Sequence, residues 1–215
     1  MIRVLLVDDH ASFRQALAFM MDREPDITIT AQAGSLAEGG RVLDGVDVAV
    51  VDLELPDGNG TELVQELRAA NPESLVLILT AADDALQLAR AVEAGASGVL
   101  HKSAGISEII TAVRRLNQGE QLLSRREVIE MLHLLGEQRE QNREAQAALA
   151  RLTKREQEVL QALADGLNDK DIAERLNISG ETARSHMVKI LSKLGVNSRL
   201  QALVFAIRHG AVKIT

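Results

Sequence analysis

The run Ile2-Arg-Val-Leu-Leu-Val-Asp-Asp9 sets an apolar strand directly against two carboxylates. A short, almost unbroken apolar run suits a strand buried on both faces, as a parallel sheet requires. Four similar runs follow before residue 120: Ile27 to Ala33, Asp47 to Val51, Leu75 to Thr80 and Ser97 to Leu100. Amphipathic stretches separate them, and two open with capping-box spacing, Ser35 with Glu38 and Asn59 with Glu62. Strands alternating with helices are the pattern of βα units, so the expectation is an α/β, five-stranded doubly wound sheet with helices on both faces. Its ligand site belongs beyond the carboxyl ends of the strands, where the strand order reverses.

That edge collects charged residues. Asp8 and Asp9 follow the first strand, Asp52 ends the third, Thr80 ends the fourth and Lys102 follows the fifth. Two like charges about 4 Å apart repel by about 4 kcal/mol at an effective dielectric near 20, so three clustered carboxylates call for a cation. A hard divalent ion such as Mg2+ suits them, because it takes oxygen ligands and leaves positions open for a phosphate. The chemistry that fits is phosphoryl transfer to a carboxylate, with Lys102 and the metal neutralising charge and the Thr80 hydroxyl donating to a phosphoryl oxygen. Each residue alone is an ordinary cap or surface group; their conjunction at four strand ends carries the reading.

Four segments, Leu5-Leu-Val-Asp-Asp9, Val51-Asp-Leu-Glu-Leu-Pro-Asp-Gly58, Leu79-Thr-Ala81 and Leu100-His-Lys102, together resemble response-regulator receiver domains over about residues 1–120. The resemblance implies a flavodoxin-like receiver fold. It makes Asp52 the phosphoacceptor, Asp8, Asp9 and Asp52 the Mg2+ carboxylates with the Glu54 backbone carbonyl as a further ligand, and Thr80 and Lys102 the phosphoryl-sensing pair. A sensor histidine kinase would be the phosphate donor. Val99 stands where many receivers carry a Tyr or Phe, Glu54 and Ala82 occupy positions that tune acyl-phosphate lifetime in that family, and His101 is an unusual neighbour for the lysine.

Charge divides the chain. Residues 1–120 carry 9 Lys and Arg against 19 Asp and Glu, residues 121–150 carry 4 against 5, and residues 151–215 carry 11 against 7. Only the last part is suited to meet a polyanion. Its aromatics are too few for base stacking, the whole chain holding Phe13, Phe19 and Phe205 with no Tyr or Trp, so duplex DNA is the better partner. There is no cysteine, and no window approaches a membrane span, which points to a soluble, cytoplasmic protein with no membrane partner. Residues 121–150 open with a further capping box, Ser124 with Glu127, and continue into a polar stretch from Glu137 to Gln146, read as a solvated helical linker with Gly136 as its weak point. Val128, Leu135, Asn142 and Leu149 repeat every seven residues, a coiled-coil period, but Gln138 spoils the companion seam and favours a solvated helix.

Residues 151–215 divide into four helical segments: Lys154 to Ala164, Asp169 to Leu176, Gly180 to Leu194 and Ser198 to His209. Thr153 with Glu156, and Ser198 with Gln201, have capping-box spacing. In the third segment Ala183, Met187, Ile190, Leu191 and Leu194 share one face, leaving Arg184, Ser185, Val188, Lys189 and Ser192 on the other. A short turn at Asn177, Ile178 and Ser179 precedes it, the layout of a helix-turn-helix. Arg184, Ser185 and Lys189 suit base edges or phosphates, Val188 a thymine methyl, and Thr182, Lys170 and Lys154 phosphates near helix starts. Leu152-Thr-Lys-Arg-Glu-Gln-Glu-Val-Leu160, Asp171-Ile-Ala-Glu-Arg-Leu176, Thr182-Ala-Arg-Ser-His186 and Leu191-Ser-Lys-Leu-Gly195 resemble the LuxR-type DNA-binding domain. That resemblance implies that the third helix enters the major groove and that the last pairs two domains, with Leu200 and Val204 as the pairing residues beside a core face of Leu203, Ala206 and Ile207.

Receiver plus LuxR-type domain is the arrangement of NarL/FixJ-class regulators. It implies a transcription regulator that binds double-stranded promoter DNA as a homodimer when phosphorylated, not an enzyme. Two other readings stay open: a metal-dependent phosphatase with Asp52 as transient nucleophile, which would want a second aspartate where Glu54 stands, and a DNA-binding protein indifferent to phosphate.

Overall fold

The computed structural model describes residues 1–81 and 84–213, and Ala82 lies outside the described residues. The chain divides into two compact units, Met1–Leu135 and Gly136–Thr215. In the first, the elements run β1 (Ile2–Val7), α1 (Ala11–Met21), β2 (Ile27–Ala33), α2 (Leu36–Gly39), β3 (Val48–Asp52), β4 (Glu54–Leu55), β5 (Gly58–Asn59), α3 (Gly60–Ala70), β6 (Leu75–Thr80), α4 (Ala85–Ala94), β7 (Gly98–His101) and α5 (Ile106–Asn117). Five of the strands form one sheet in the order β2-β1-β3-β6-β7, every pair parallel. The order reverses between β1 and β3, which places the crevice of a doubly wound sheet beside Asp8 and Asp52.

Period-two alternation sorts the core into two layers. Val4, Leu6, Val48, Val50, Leu77 and Leu79 face α1 and α5, packing on Leu17, Met21, Ile109, Val113 and Leu116. Leu5, Val7, Ala49, Val51, Val76 and Ile78 face the other way, onto Leu63, Val64 and Leu67 of α3 and Ala91 of α4. Burying each such aliphatic side chain contributes roughly 1.5–3 kcal/mol, so the register is fixed by both faces at once.

Local chemistry sets the helix starts. At α3 the capping box is complete, Asn59 accepting from the first turn and Glu62 reaching back to the Asn59 amide. At α2 it is split: Ser35 Oγ accepts the Glu38 amide at 3.2 Å, but the Glu38 carboxylate turns to the Gly34 amide at 2.7 Å. The second amphipathic segment is therefore a single turn, stopped by Gly39 and Gly40. Gly39 has a steric reason, since a Cβ there would lie 2.9 Å from Leu63 Cδ2. Gly60 is more constrained still: a Cβ would come 2.1 Å from the Asp52 carbonyl oxygen. Its absence lets α3 begin against the strand end that carries Asp52.

The helix α6 (Arg125–Ala150) runs without interruption through Gly136, and its opening box forms, with the Ser124 amide on Glu127 at 2.7 Å and the Glu127 amide on Ser124 Oγ at 3.3 Å. Asn142 is exposed, whereas Ala148 and Leu149 are buried and belong to the core of the second unit. That unit continues with α7 (Lys154–Ala164), α8 (Asp169–Arg175), α9 (Gly180–Leu194) and α10 (Arg199–Arg208). Val159, Leu160, Ile172, Ala183, Met187, Ile190 and Ala206 form its interior. The turn between α8 and α9 depends on Asn177, whose φ of 50° lies in the left-handed region that asparagine tolerates. Ile207 departs from expectation: it is 41% exposed rather than core, because the small Ala202 and Ala206 supply the close contact instead.

Glu156 pins α7 to α9. It is buried, accepts the Thr153 amide at 2.7 Å and receives the Lys193 ammonium at 2.6 Å. Burial pushes its carboxyl up, but Lys193 and Thr153 outweigh that and hold it below the ordinary glutamate value of 4.5. A depressed folded-state value stabilises above the unfolded value, and the contribution is lost as pH falls through the folded one. Glu156→Gln should therefore cost the second unit about 1 to 3 kcal/mol at pH 7. Urea unfolding should show that penalty shrinking below pH 4.5, where the wild-type carboxylate itself protonates; a penalty constant down to about pH 3 contradicts this.

Candidate phosphoryl and DNA sites

The two aspartates after β1 leave the strand into a tight turn. Asp8 Oδ1 accepts the His10 amide at 2.8 Å, and the Asp8 carbonyl accepts from the Arg14 guanidinium. Asp52 closes β3 with Oδ1 on the Glu54 amide at 3.3 Å. Asp8 and Asp52 are 5% and 3% exposed, so water screens neither well. Lys102 reaches across from the end of β7 and sets its ammonium 2.5 Å from Asp52 Oδ2 and 2.8 Å from Asp8 Oδ2. Its own amide donates to the Thr80 carbonyl at 2.7 Å, and its Nζ lies 5.7 Å from the centre of the Phe13 ring.

Burial pushes the Asp52 carboxyl above the ordinary aspartate range despite the opposing pull of Lys102. Burial works against the Lys102 charge as well, but hydrogen bonds to Asp52 and Asp8 prevail and raise its value. The site is thus an electrostatically stressed pocket with more negative than positive charge. Asp8 Oδ2 is buried, and the cation beside it is the Lys102 ammonium at 2.8 Å. Ligand atoms of Asp8, Asp9, His10 and Asp52 all lie within 4.8 Å of one another. Three carboxylates gathered this closely, with one ammonium among them, make an oxygen-rich donor set that fits a divalent cation.

Of the residues singled out from the sequence, Asp8, Asp9, Asp52 and Lys102 meet directly. Thr80 is buried at the end of β6, one step beyond the Asp52 and Leu79 pairing. Glu54 is exposed, with its backbone held to Asn59. His10 was missed, though the run Asp-Asp-His was its signal; its Nδ1 lies 2.6 Å from Asp9 Oδ1. Arg14 was missed too, and only the tertiary fold brings its guanidinium to the Asp8 carbonyl.

In the second unit, α9 buries Ala183, Met187, Ile190 and Leu194. Thr182, Arg184, Ser185, Val188 and Lys189 are exposed, Val188 at 61%. Ser179 Oγ caps the helix by accepting the Thr182 amide at 3.1 Å. Lys154 and Lys170 are exposed in the first turns of α7 and α8. On α10, Leu200 and Val204 are 69% and 55% exposed, and Ile207 extends their stripe by one turn.

A doubly wound sheet with an acidic cluster at its switch point, in one chain with a helix-turn-helix unit, defines the class: a receiver joined to a DNA-binding domain. Comparison with known proteins gives the family. Residues 4–114 match the response regulator receiver domain, and residues 150–206 match the LuxR family of bacterial regulatory proteins. The chain belongs to the LuxR-type response regulators. It is 36% identical to the DNA-binding transcriptional activator DevR/DosR of Mycobacterium tuberculosis, over 96% of this chain and 94% of that one. It is 34% identical to the transcriptional regulatory protein LiaR of Bacillus subtilis, over 99% and 100%. Among solved structures, the response regulator ChrA of a heme-sensing two-component system shares 35% identity over 98% of both chains, with a TM-score of 0.51.

Removing the ammonium should free the acidic cluster for a cation. Lys102→Ala is expected to bind a divalent ion about tenfold more tightly in calorimetric titration at low salt. Unchanged or weaker affinity would show that Lys102 does not compete for these carboxylates.

Proposed function

We propose that this chain is the phosphorylation-switched transcription regulator of a two-component pair, taking a phosphoryl group onto Asp52 from a sensor histidine kinase. The observation that carries the reading is the buried Asp52 carboxylate, held 2.5 Å from the Lys102 ammonium at the switch point. Asp52 is the nucleophile: one carboxylate oxygen forms the new bond to phosphorus while the donor's bond breaks. Lys102 stays charged and compensates the added negative charge, and the Thr80 hydroxyl donates to a phosphoryl oxygen. Mg2+, held by Asp8, Asp9, Asp52 and the Glu54 carbonyl, supplies neutralisation of the phosphoryl oxygens when bound. Phosphorylation favours a homodimer through Leu200, Val204 and Ile207. That dimer reads duplex promoter sites through Arg184, Ser185, Val188 and Lys189, while Lys154, Lys170 and Thr182 contact phosphates. We assign residues 1–120 to the receiver, 121–150 to the linker and 151–215 to DNA binding, and place the protein in the cytoplasm, where the DNA is. Similarity to transcription regulators along nearly the whole chain supports this reading over a phosphatase.

Incubation with acetyl phosphate and Mg2+ should add one phosphoryl group, seen by intact mass and absent in Asp52→Asn. Lys170→Ala should weaken DNA binding and lower its salt slope by about one, whereas Val188→Ala should alter base preference more than the salt slope. Modification that survives Asp52→Asn, or turnover of phosphomonoesters well above self-hydrolysis, would overturn the reading.

A further inference from the structure

His101 is the last residue of β7 and stands in register opposite Thr80. Its exposed ring joins two loops. Nδ1 lies 2.6 Å from Ser103 Oγ and accepts the Ser103 amide at 3.1 Å. Nε2 lies 3.1 Å from the Ala81 carbonyl oxygen. An amide N–H only donates and a carbonyl only accepts, so one tautomer satisfies both ends: Nδ1 bare, Nε2 carrying the proton.

The positions of those partners give the contact a consequence. Ala81 follows Thr80 and Ser103 follows Lys102, so the ring spans from one sensing residue's loop to the other's. The Lys102 amide on the Thr80 carbonyl, at 2.7 Å, ties the same two strand ends through the backbone. A phosphoryl group on Asp52 must be met by both side chains together, and their mutual placement matters more than either alone.

We propose that His101 is a positioning residue for phosphoryl transfer to Asp52: its ring staples the Ala81 carbonyl to the Ser103 turn and so fixes Thr80 and Lys102 relative to each other. The inference rests on Asp52 being the phosphoacceptor. His101 lies outside the acidic cluster of Asp8, Asp9, His10 and Asp52 and acts through its neighbours. A ring held by packing alone would be indifferent to which of its nitrogens is replaced, whereas a staple depends on the donor at Nε2.

The full chain and its variants are treated with acetyl phosphate and Mg2+, and the rate of Asp52 modification is followed by intact mass. His101→Leu should be about 3- to 10-fold slower, the size of one lost hydrogen bond. His101→Gln, whose amide N–H reaches the position of Nε2, should stay within about twofold of wild type, while His101→Asn, which reproduces only Nδ1, should be as slow as the leucine variant. Mg2+ affinity should be unchanged across the set, and nitrogen NMR of the resting wild-type ring should place the proton on Nε2. Wild-type rates in His101→Leu, a glutamine variant as slow as the leucine one, or a proton on Nδ1 each overturn the inference. If His101→Leu fails to fold, the ring spectrum and the glutamine and asparagine pair still decide. A wild-type chain that takes no phosphoryl group refutes the functional reading itself, which separates the two failures.

Discussion

The Lys102 ammonium lies between two buried carboxylates, 2.5 Å from Asp52 and 2.8 Å from Asp8. Removing two carboxylates from water at the end of a sheet costs several kcal/mol unless a cation repays it. Lys102 reaches them from the edge strand β7, across β6, to β3 and β1, so the arrangement requires the observed strand order. Two packing details keep the geometry: Gly60 lets α3 start against the Asp52 carbonyl, and the Lys102 amide is tied to the Thr80 carbonyl. An incoming divalent cation or phosphoryl group must renegotiate the same contacts. Under the proposed function, modification of Asp52 reaches two further loops through these contacts.

The second unit uses different physics. Its surface is chosen by what its helices bury. Ala183, Met187, Ile190 and Leu194 turn inward on α9, which leaves Arg184, Ser185, Val188 and Lys189 outward. Asn177, with a φ of 50°, makes the turn that sets α8 against α9, and the buried Glu156 to Lys193 pair fixes α7 beside them. Charge follows the same division of labour. Residues 1–120 carry 9 basic against 19 acidic residues and repel a polyanion, while residues 151–215 carry 11 against 7 and attract one.

Most of the fold was legible because its signals are local. The five main strands are short, largely apolar runs, four of them closed by Asp, Gly or Thr and the fifth by His101 and Lys102, and the apolar runs coincide with the strands to within a residue. Asp8, Asp9, Asp52 and Lys102 could be grouped because a parallel sheet puts all strand ends on one edge. What escaped depends on tertiary contact. α2 is a single turn ending at Gly39 and Gly40, and the reason for a glycine at 39, the nearness of Leu63 to where a Cβ would lie, is one no capping pattern reveals. Ile207 fits the helical period of the core, yet two alanines take the inner positions. His101 stood out only as an unusual neighbour of Lys102, and its partner Ala81, like the pairing of His10 with Asp9, is defined by loop geometry.

Under the proposed function, occupancy of Asp52 governs DNA affinity. The most direct measurement is the dissociation constant for one selected duplex, at one fixed salt concentration, of the unmodified chain and of the chain phosphorylated on Asp52. A coupling of about 1 to 3 kcal/mol predicts tighter binding by roughly 5- to 150-fold after phosphorylation. Equal affinities for the two forms would contradict it.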